Sequence, residues 1–185
     1  MDLDKATIKA FCEHCDWAHQ CWLMRKHLYD KNPKEELLKH PHHAYFFIRL
    51  EKILQEYWLT EVVKLHDPKS QGGHSNLSVP LILDNPAWPA KLDAQLREIS
   101  KNMNGFVSYI RPARNKLLSH KDKNTILSSR TLGSFDQGAD ESYFKNLAEF
   151  ANLAHQYVVG EPFLFDDLTK NDVEIFMGTF ENGLA

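Results

Sequence analysis

The sequence predicts an all-α protein, a helical bundle of about five to six helices, and three observations carry that expectation. Apolar residues recur at three- and four-residue spacings over long stretches, the pattern of amphipathic helices. The breaks between these stretches carry proline and glycine, which punctuate helices. The one short β-branched run, Val79 to Leu83, contains Pro80 and has no partner run, so no sheet is expected there.

The first helix is expected from about Lys5 to Asp30, with Ile8, Phe11, Cys12, Cys15, Trp22 and Leu23 on its apolar side and an end near Asn32-Pro33. After His40-Pro41, a second long helix is expected from Ala44 to His66, with Phe47, Leu50, Leu54, Trp58, Val62 and Leu65 forming its stripe. Asp67-Pro68 ends it, because the residue before a proline is driven out of the α region. Lys69 to Ser78, with Gly72-Gly73, is a polar loop, and Val79 to Leu83 is a turn of helix or an extended linker. Trp88-Pro89 opens a third helix that Leu92, Leu96, Ile99, Met103, Phe106 and Ile110 carry to about Ile110. Pro112 lacks an amide donor, so a kink or break is expected there, with a fourth helix starting at Pro112 and containing Arg114 to His120. Thr131 to Gly138 is a second polar loop. From Ser142, Tyr143, Phe144, Leu147, Phe150, Ala151, Ala154, Tyr157 and Val158 describe a fifth helix that Gly160 and Pro162 end. Val173, Ile175, Phe176, Met177 and Phe180 suit a final helix packed on its own domain or on a partner chain.

Length and composition fit one globular domain spanning 1–185, with 43% hydrophobic and 25% charged residues. No stretch approaches the roughly 18 uncharged apolar residues of a membrane helix, and the start, Met1-Asp2-Leu3-Asp4-Lys5, lacks the basic and apolar regions of a signal peptide. The expected compartment is cytoplasmic. Three cysteines, Cys12, Cys15 and Cys21, are odd in number and crowded into ten residues, which is a poor disulfide framework. The net charge of −3 excludes a global basic field of the kind that binds nucleic acid tightly. Charge is local instead. Between Lys101 and Lys123, six basic residues meet the single acid Asp122, a net +5.

That stretch contains Arg111 to Asp122, R-P-A-R-N-K-L-L-S-H-K-D, the expected functional centre. Arg114 and His120 enclose five residues, about 9 Å of rise and roughly 120° of rotation on a continuous helix, so they do not face one another directly. A second copy related by a two-fold axis would bring two Arg/His sets into one cleft. Arginine offers phosphate a permanently charged fork, and histidine exchanges a proton near neutral pH, so the two suit phosphate cleavage in RNA without a metal or other cofactor. Asn115 and Ser119 are polar groups able to orient them.

Arg114-Asn115 through His120 resembles the arginine, polar residue, four intervening residues, histidine motif of the HEPN superfamily. Leu65-His66-Asp67-Pro68 through Ser75-Asn76-Leu77-Ser78, followed by a helix leading into Arg111 and Arg114, resembles its abortive-infection U-type branch. The resemblance is most specific over about His66 to Asp122. It implies a bundle that dimerises and cuts RNA at a composite site. Arg114, Asn115 and His120 would be catalytic, and Arg111, Lys116 and Lys121 would bind RNA phosphates. It further implies a toxin in antiviral defence or a toxin–antitoxin system, beside an antitoxin or nucleotidyltransferase partner. The alternative is a non-catalytic HEPN-like module that binds RNA, a nucleotide or a protein.

Other residues have plainer readings. Arg111 serves equally as a helix-end charge, and Lys121 with Asp122 as a solvated helix end. Cys12, Cys15, His14, His19 and Cys21 invite a zinc reading, but the helix face that would gather them also carries the apolar stripe, which favours buried thiols. His40, His42 and His43 could bind a transition metal, although exposed polar residues beside Pro41 are the simpler assignment. A metal-dependent enzyme using the histidines is a third and weaker reading. Asp67 and His74 are expected to cap the second helix and shape the turn.

Overall fold

The computed structural model describes residues 4–115, 134–165 and 168–184. Within them the chain forms seven α-helices and one minimal β-ribbon, in agreement with the all-α expectation. Helix α1 (Lys5–Arg25) starts under an Asp4 cap whose carboxylate accepts the Thr7 amide at 2.7 Å, and it ends in a π-helical turn, Lys26–Asp30. Four residues form α2 (Glu35–Leu38), too short for a periodic pattern to announce. Helix α3 (Ala44–Lys64) has the expected start and stops two residues short of His66.

The expected loop after α3 holds a hairpin of two-residue strands, β1 (Ser70–Gln71) and β2 (His74–Ser75), paired antiparallel with Ser70 opposite Ser75. The turn between them is Gly72-Gly73, at φ of 59° and 84°, the left-handed region that a two-residue hairpin turn of this hand requires at both positions. The expectation that no sheet forms is therefore corrected by one small ribbon. Its strands are too short for alternation to show.

Val79 to Leu83 is a turn of helix, α4, entered from an extended Ser78 with Pro80 in its first turn, where a missing amide costs nothing. Helix α5 runs from Ala90 to Ala113 and passes straight through Pro112. The predicted break, with a fourth helix beginning at Pro112, does not occur among the described residues. Proline deprives only the Ser108 carbonyl of its α-helical partner, and the path continues with the Arg114 amide bonded to Arg111 and Ile110 carbonyls, then in π-helical geometry over 114–115. Helix α6 (Ala139–Val159) ends on Gly160, whose φ of 101° suits the residue that stops a helix. Helix α7 (Thr169–Leu184) is the expected final helix.

Backbone contacts divide the chain into two compact units, Met1–Asp16 with Leu59–Phe165, and Trp17–Trp58 with Asp166–Ala185. In the first, α5 and α6 pack along their length, burying Leu96, Met103, Phe106 and Ile110 against Tyr143, Phe144, Leu147 and Phe150. Ile8, Phe11, Cys12 and Cys15 of α1 are fully buried in this unit, with the Phe11 ring edge-on to Phe150 at 6.0 Å. In the second unit, Leu28, Tyr29, Leu38, Phe47, Val173 and Met177 form the core, so α7 packs on its own chain. Among the described residues no helix is long and apolar enough to cross a membrane.

Candidate functional site

The end of α3 makes the floor of the site. Its last amides tighten, His66 donating to the Val63 carbonyl at 3.0 Å and Asp67 to the Lys64 carbonyl at 3.0 Å, before Pro68 turns the chain away. The following loop is tied back by side chain and main chain. Asn76 donates from its amide side chain to the Pro68 carbonyl at 2.7 Å, and the Val79 amide reaches the Leu65 carbonyl at 2.7 Å. His66 and Asp67 are thereby fixed in place beneath the C-terminal turn of α5.

The His66 ring is buried, with Nε2 3.0 Å from the Tyr143 hydroxyl on α6. Burial, then the neighbouring Arg111 charge, lowers its pKa to about 4, against a hydrogen bond with Asn104 that acts in the opposite sense. The ring is therefore neutral at neutral pH. Its backbone carbonyl accepts Arg111 Nη2 at 2.9 Å.

Asp67 gathers both arginines. One carboxylate oxygen lies 3.7 Å from Arg111 Nη1, and the other accepts Arg114 Nη2 at 3.3 Å. Arg114 Nη1 donates to the Asn115 side-chain oxygen at 3.0 Å. Arginine carries five N–H donors, so two are used by these contacts. The Arg114 Nε is buried with no hydrogen-bond partner among the described residues. Beside this cluster Asn104, Val107, Ser108, Arg111, Pro112 and Asn115 line an open groove of about 600 Å³.

Of the predicted residues, Arg111, Arg114 and Asn115 are brought together here, Arg111 one helical turn before the other two. His120, Lys116 and Lys121 lie outside the described residues. Asp67 closes the end of α3 with its backbone amide, on the Lys64 carbonyl, and not with its side chain. It follows the C-terminal end, where a carboxylate opposes the helix dipole, and the two arginines supply its partners instead. Sequence reasoning missed Asp67 and His66 as site residues. The available signal was the lack of any acid from Lys101 to Lys121, which leaves Arg111 and Arg114 no carboxylate partner nearby in the sequence.

The HEPN_AbiU2 family model, described as AbiU2, matches residues 2–177. The chain belongs to the AbiU2 family. It is an abortive-infection-related HEPN domain, and the match covers both the α3 to α4 loop and Arg114. No curated protein and no solved structure matches it.

The remaining candidates fall away from this site. In this AbiU2 chain all three cysteines are buried and none is in a disulfide, and burial pushes the Cys12 thiol up to about 12 and Cys15 well above the ordinary thiol range. Such thiols are poor metal ligands and poor nucleophiles. His40 and His43 stack at 5.2 Å, while His43 points a ring nitrogen at the Leu37 carbonyl, 2.6 Å away, and meets Phe180 edge-on. Among the described residues no group of three His, Cys, Asp or Glu side chains could hold a metal ion. His74 sits in β2, opposite Gln71.

Proposed function

We propose that this AbiU2 chain is a metal-independent endoribonuclease, active as a homodimer, in which Arg114, Asn115 and His120 of two copies form a composite site. The observation that supports it most is the Arg114 guanidinium, held by Asp67 and Asn115 beside an open groove that Arg111 and Asn115 line. A helix-borne arginine so held can meet the charge that builds on a phosphate oxygen in the transition state, which is where fixed donors contribute most.

In the reaction, a ribose 2′-OH oxygen attacks its neighbouring phosphorus and loses its proton, and the P–O5′ bond breaks as O5′ gains one. The products are a 2′,3′-cyclic phosphate and a free 5′-OH. His120 moves these protons, and two copies supply one base and one acid. Arg111, Lys116 and Lys121 hold flanking phosphates. The biological setting is a toxin in antiviral defence or a toxin–antitoxin system in the cytoplasm, restrained by an antitoxin or nucleotidyltransferase partner.

A second reading, a non-catalytic HEPN module that binds RNA, a nucleotide or a protein, is favoured by one feature: both arginines are already paired with Asp67. Labelled RNA incubated with the protein in EDTA separates the two. Cleavage that Arg114→Ala lowers by about 10² to 10³-fold, the scale for losing one preorganised oxyanion donor, supports the nuclease. Tight RNA binding with intact products throughout supports the module.

A further inference from the structure

We infer that Asp67 is a positioning residue for Arg114, and that its carboxylate, buttressed by Arg111, sets the guanidinium of this site in its working orientation. The role rests on the ribonuclease reading above and deepens it. Arginine carries about 2 kcal/mol of rotamer entropy, and Arg114 stands directly after the last residue of α5, in π-helical geometry. Something rigid must hold the fork. Asp67 is rigid: its side chain is only 17% exposed, its amide is bonded to Lys64, and Pro68 limits its backbone.

The two carboxylate oxygens divide the work. One takes Arg114 Nη2 at 3.3 Å, and the other faces Arg111 Nη1 at 3.7 Å. Arg111 is itself pinned by Nη2 to the His66 carbonyl at 2.9 Å, and His66 by its ring to buried Tyr143. A chain of contacts thus runs from the core through the end of α3 to the outer face of α5. The charges in this cluster are two positive and one negative, so Asp67 holds the arginines without cancelling their pull on a phosphate. Without the carboxylate, two like charges are left a few ångströms apart in a partly buried place, and they must splay.

This arrangement separates binding from catalysis in a way that a general packing role does not. Asp67→Ala raises the local charge by one, so affinity for RNA is retained or increased and its salt dependence steepens. Turnover falls because the fork is misplaced, and a displacement of about 1 Å costs about 10²-fold. The experiment uses the full chain as wild type, Asp67→Ala, Asp67→Asn, Arg114→Lys and the Asp67→Ala/Arg114→Lys double variant. It measures single-turnover cleavage of an RNA oligonucleotide, binding of its 2′-O-methyl counterpart, which lacks the attacking hydroxyl, and thermal midpoints.

The expected result is a single-turnover cleavage rate about 10 to 100-fold lower in Asp67→Ala and less reduced in Asp67→Asn, which keeps one acceptor oxygen, with undiminished binding of the 2′-O-methyl strand. In the Arg114→Lys background, where no fork remains to orient, removing Asp67 costs little more. If Asp67→Ala and Asp67→Asn cleave at the wild-type rate, or if the Asp67 and Arg114 losses simply multiply, the positioning role is overturned while the ribonuclease stands. If the folded wild-type chain binds the strand and never cuts RNA, the ribonuclease reading fails, and this role fails with it.

Discussion

Acidification should weaken the fold through His66 before it reaches most other groups. The folded chain keeps this ring neutral down to about pH 4, against 6.5 as its ordinary value, because burial and the adjacent Arg111 charge both oppose protonation. Between those two values the unfolded chain binds a proton that the folded chain refuses. Stability therefore falls as pH falls, contributing a loss of about 2 kcal/mol by pH 5 and about 3 kcal/mol near pH 4, from linkage at about 1.4 kcal/mol per pH unit. Urea unfolding of wild type and His66→Gln at pH 7, 6, 5 and 4.5 isolates the effect, because carboxylates elsewhere titrate equally in both chains. The unfolding free energy of wild type minus that of His66→Gln should fall as the pH drops, by about 2 kcal/mol from pH 7 to 5, whatever the substitution itself costs at pH 7. A difference that stays constant from pH 7 to 4.5 would refute the claim that His66 is buried and neutral.

Three further outcomes follow from the same contacts. Tyr143→Phe removes the hydroxyl 3.0 Å from the His66 ring and leaves a buried nitrogen without its partner, so unfolding should show a loss of about 1 to 3 kcal/mol. Phe150→Ala empties a fully buried position against Phe11 and should cost about 3 to 5 kcal/mol by chemical denaturation, with RNA affinity unchanged in the fraction that remains folded. Gly160→Ala places a Cβ on a backbone at φ of 101°, and since nothing crowds that position, a lowered thermal midpoint would report conformational strain alone.

Much of the fold was legible because the long helices bury one side each. Phe47, Trp58, Val62 and Leu65 of the second stripe are buried in the structure, as are Leu96, Met103 and Ile110 on α5. What the sequence hid was either short or compensated. Helix α2 and the β1-β2 ribbon span too few residues for a period to emerge, although Gly72-Gly73 was a sufficient signal for a tight turn. Pro112 misled because a proline removes one amide, whereas a helix whose flanking residues Ile110 and Ala113 are buried against the core retains its path.

The site was legible along the chain and hidden across it. Arg111, Arg114 and Asn115 lie within five residues of one another, so the segment itself groups them, even with the break expected at Pro112. Asp67 stands 47 residues before Arg114, and only the tertiary fold sets its carboxylate beneath the guanidinium. Its character in the sequence, an acid before a proline at a helix end, is that of a turn former. The pairing with two arginines follows from the way α3 ends under α5.

Metal-free cleavage of RNA by a histidine-dependent composite site is tested by incubating labelled total RNA and tRNA with the purified protein in EDTA, beside His120→Ala, with end-group analysis of the products. Cutting should survive EDTA, leave 2′,3′-cyclic phosphate ends and disappear in His120→Ala. Cleavage that EDTA abolishes, or that His120→Ala retains at the wild-type rate, would contradict it.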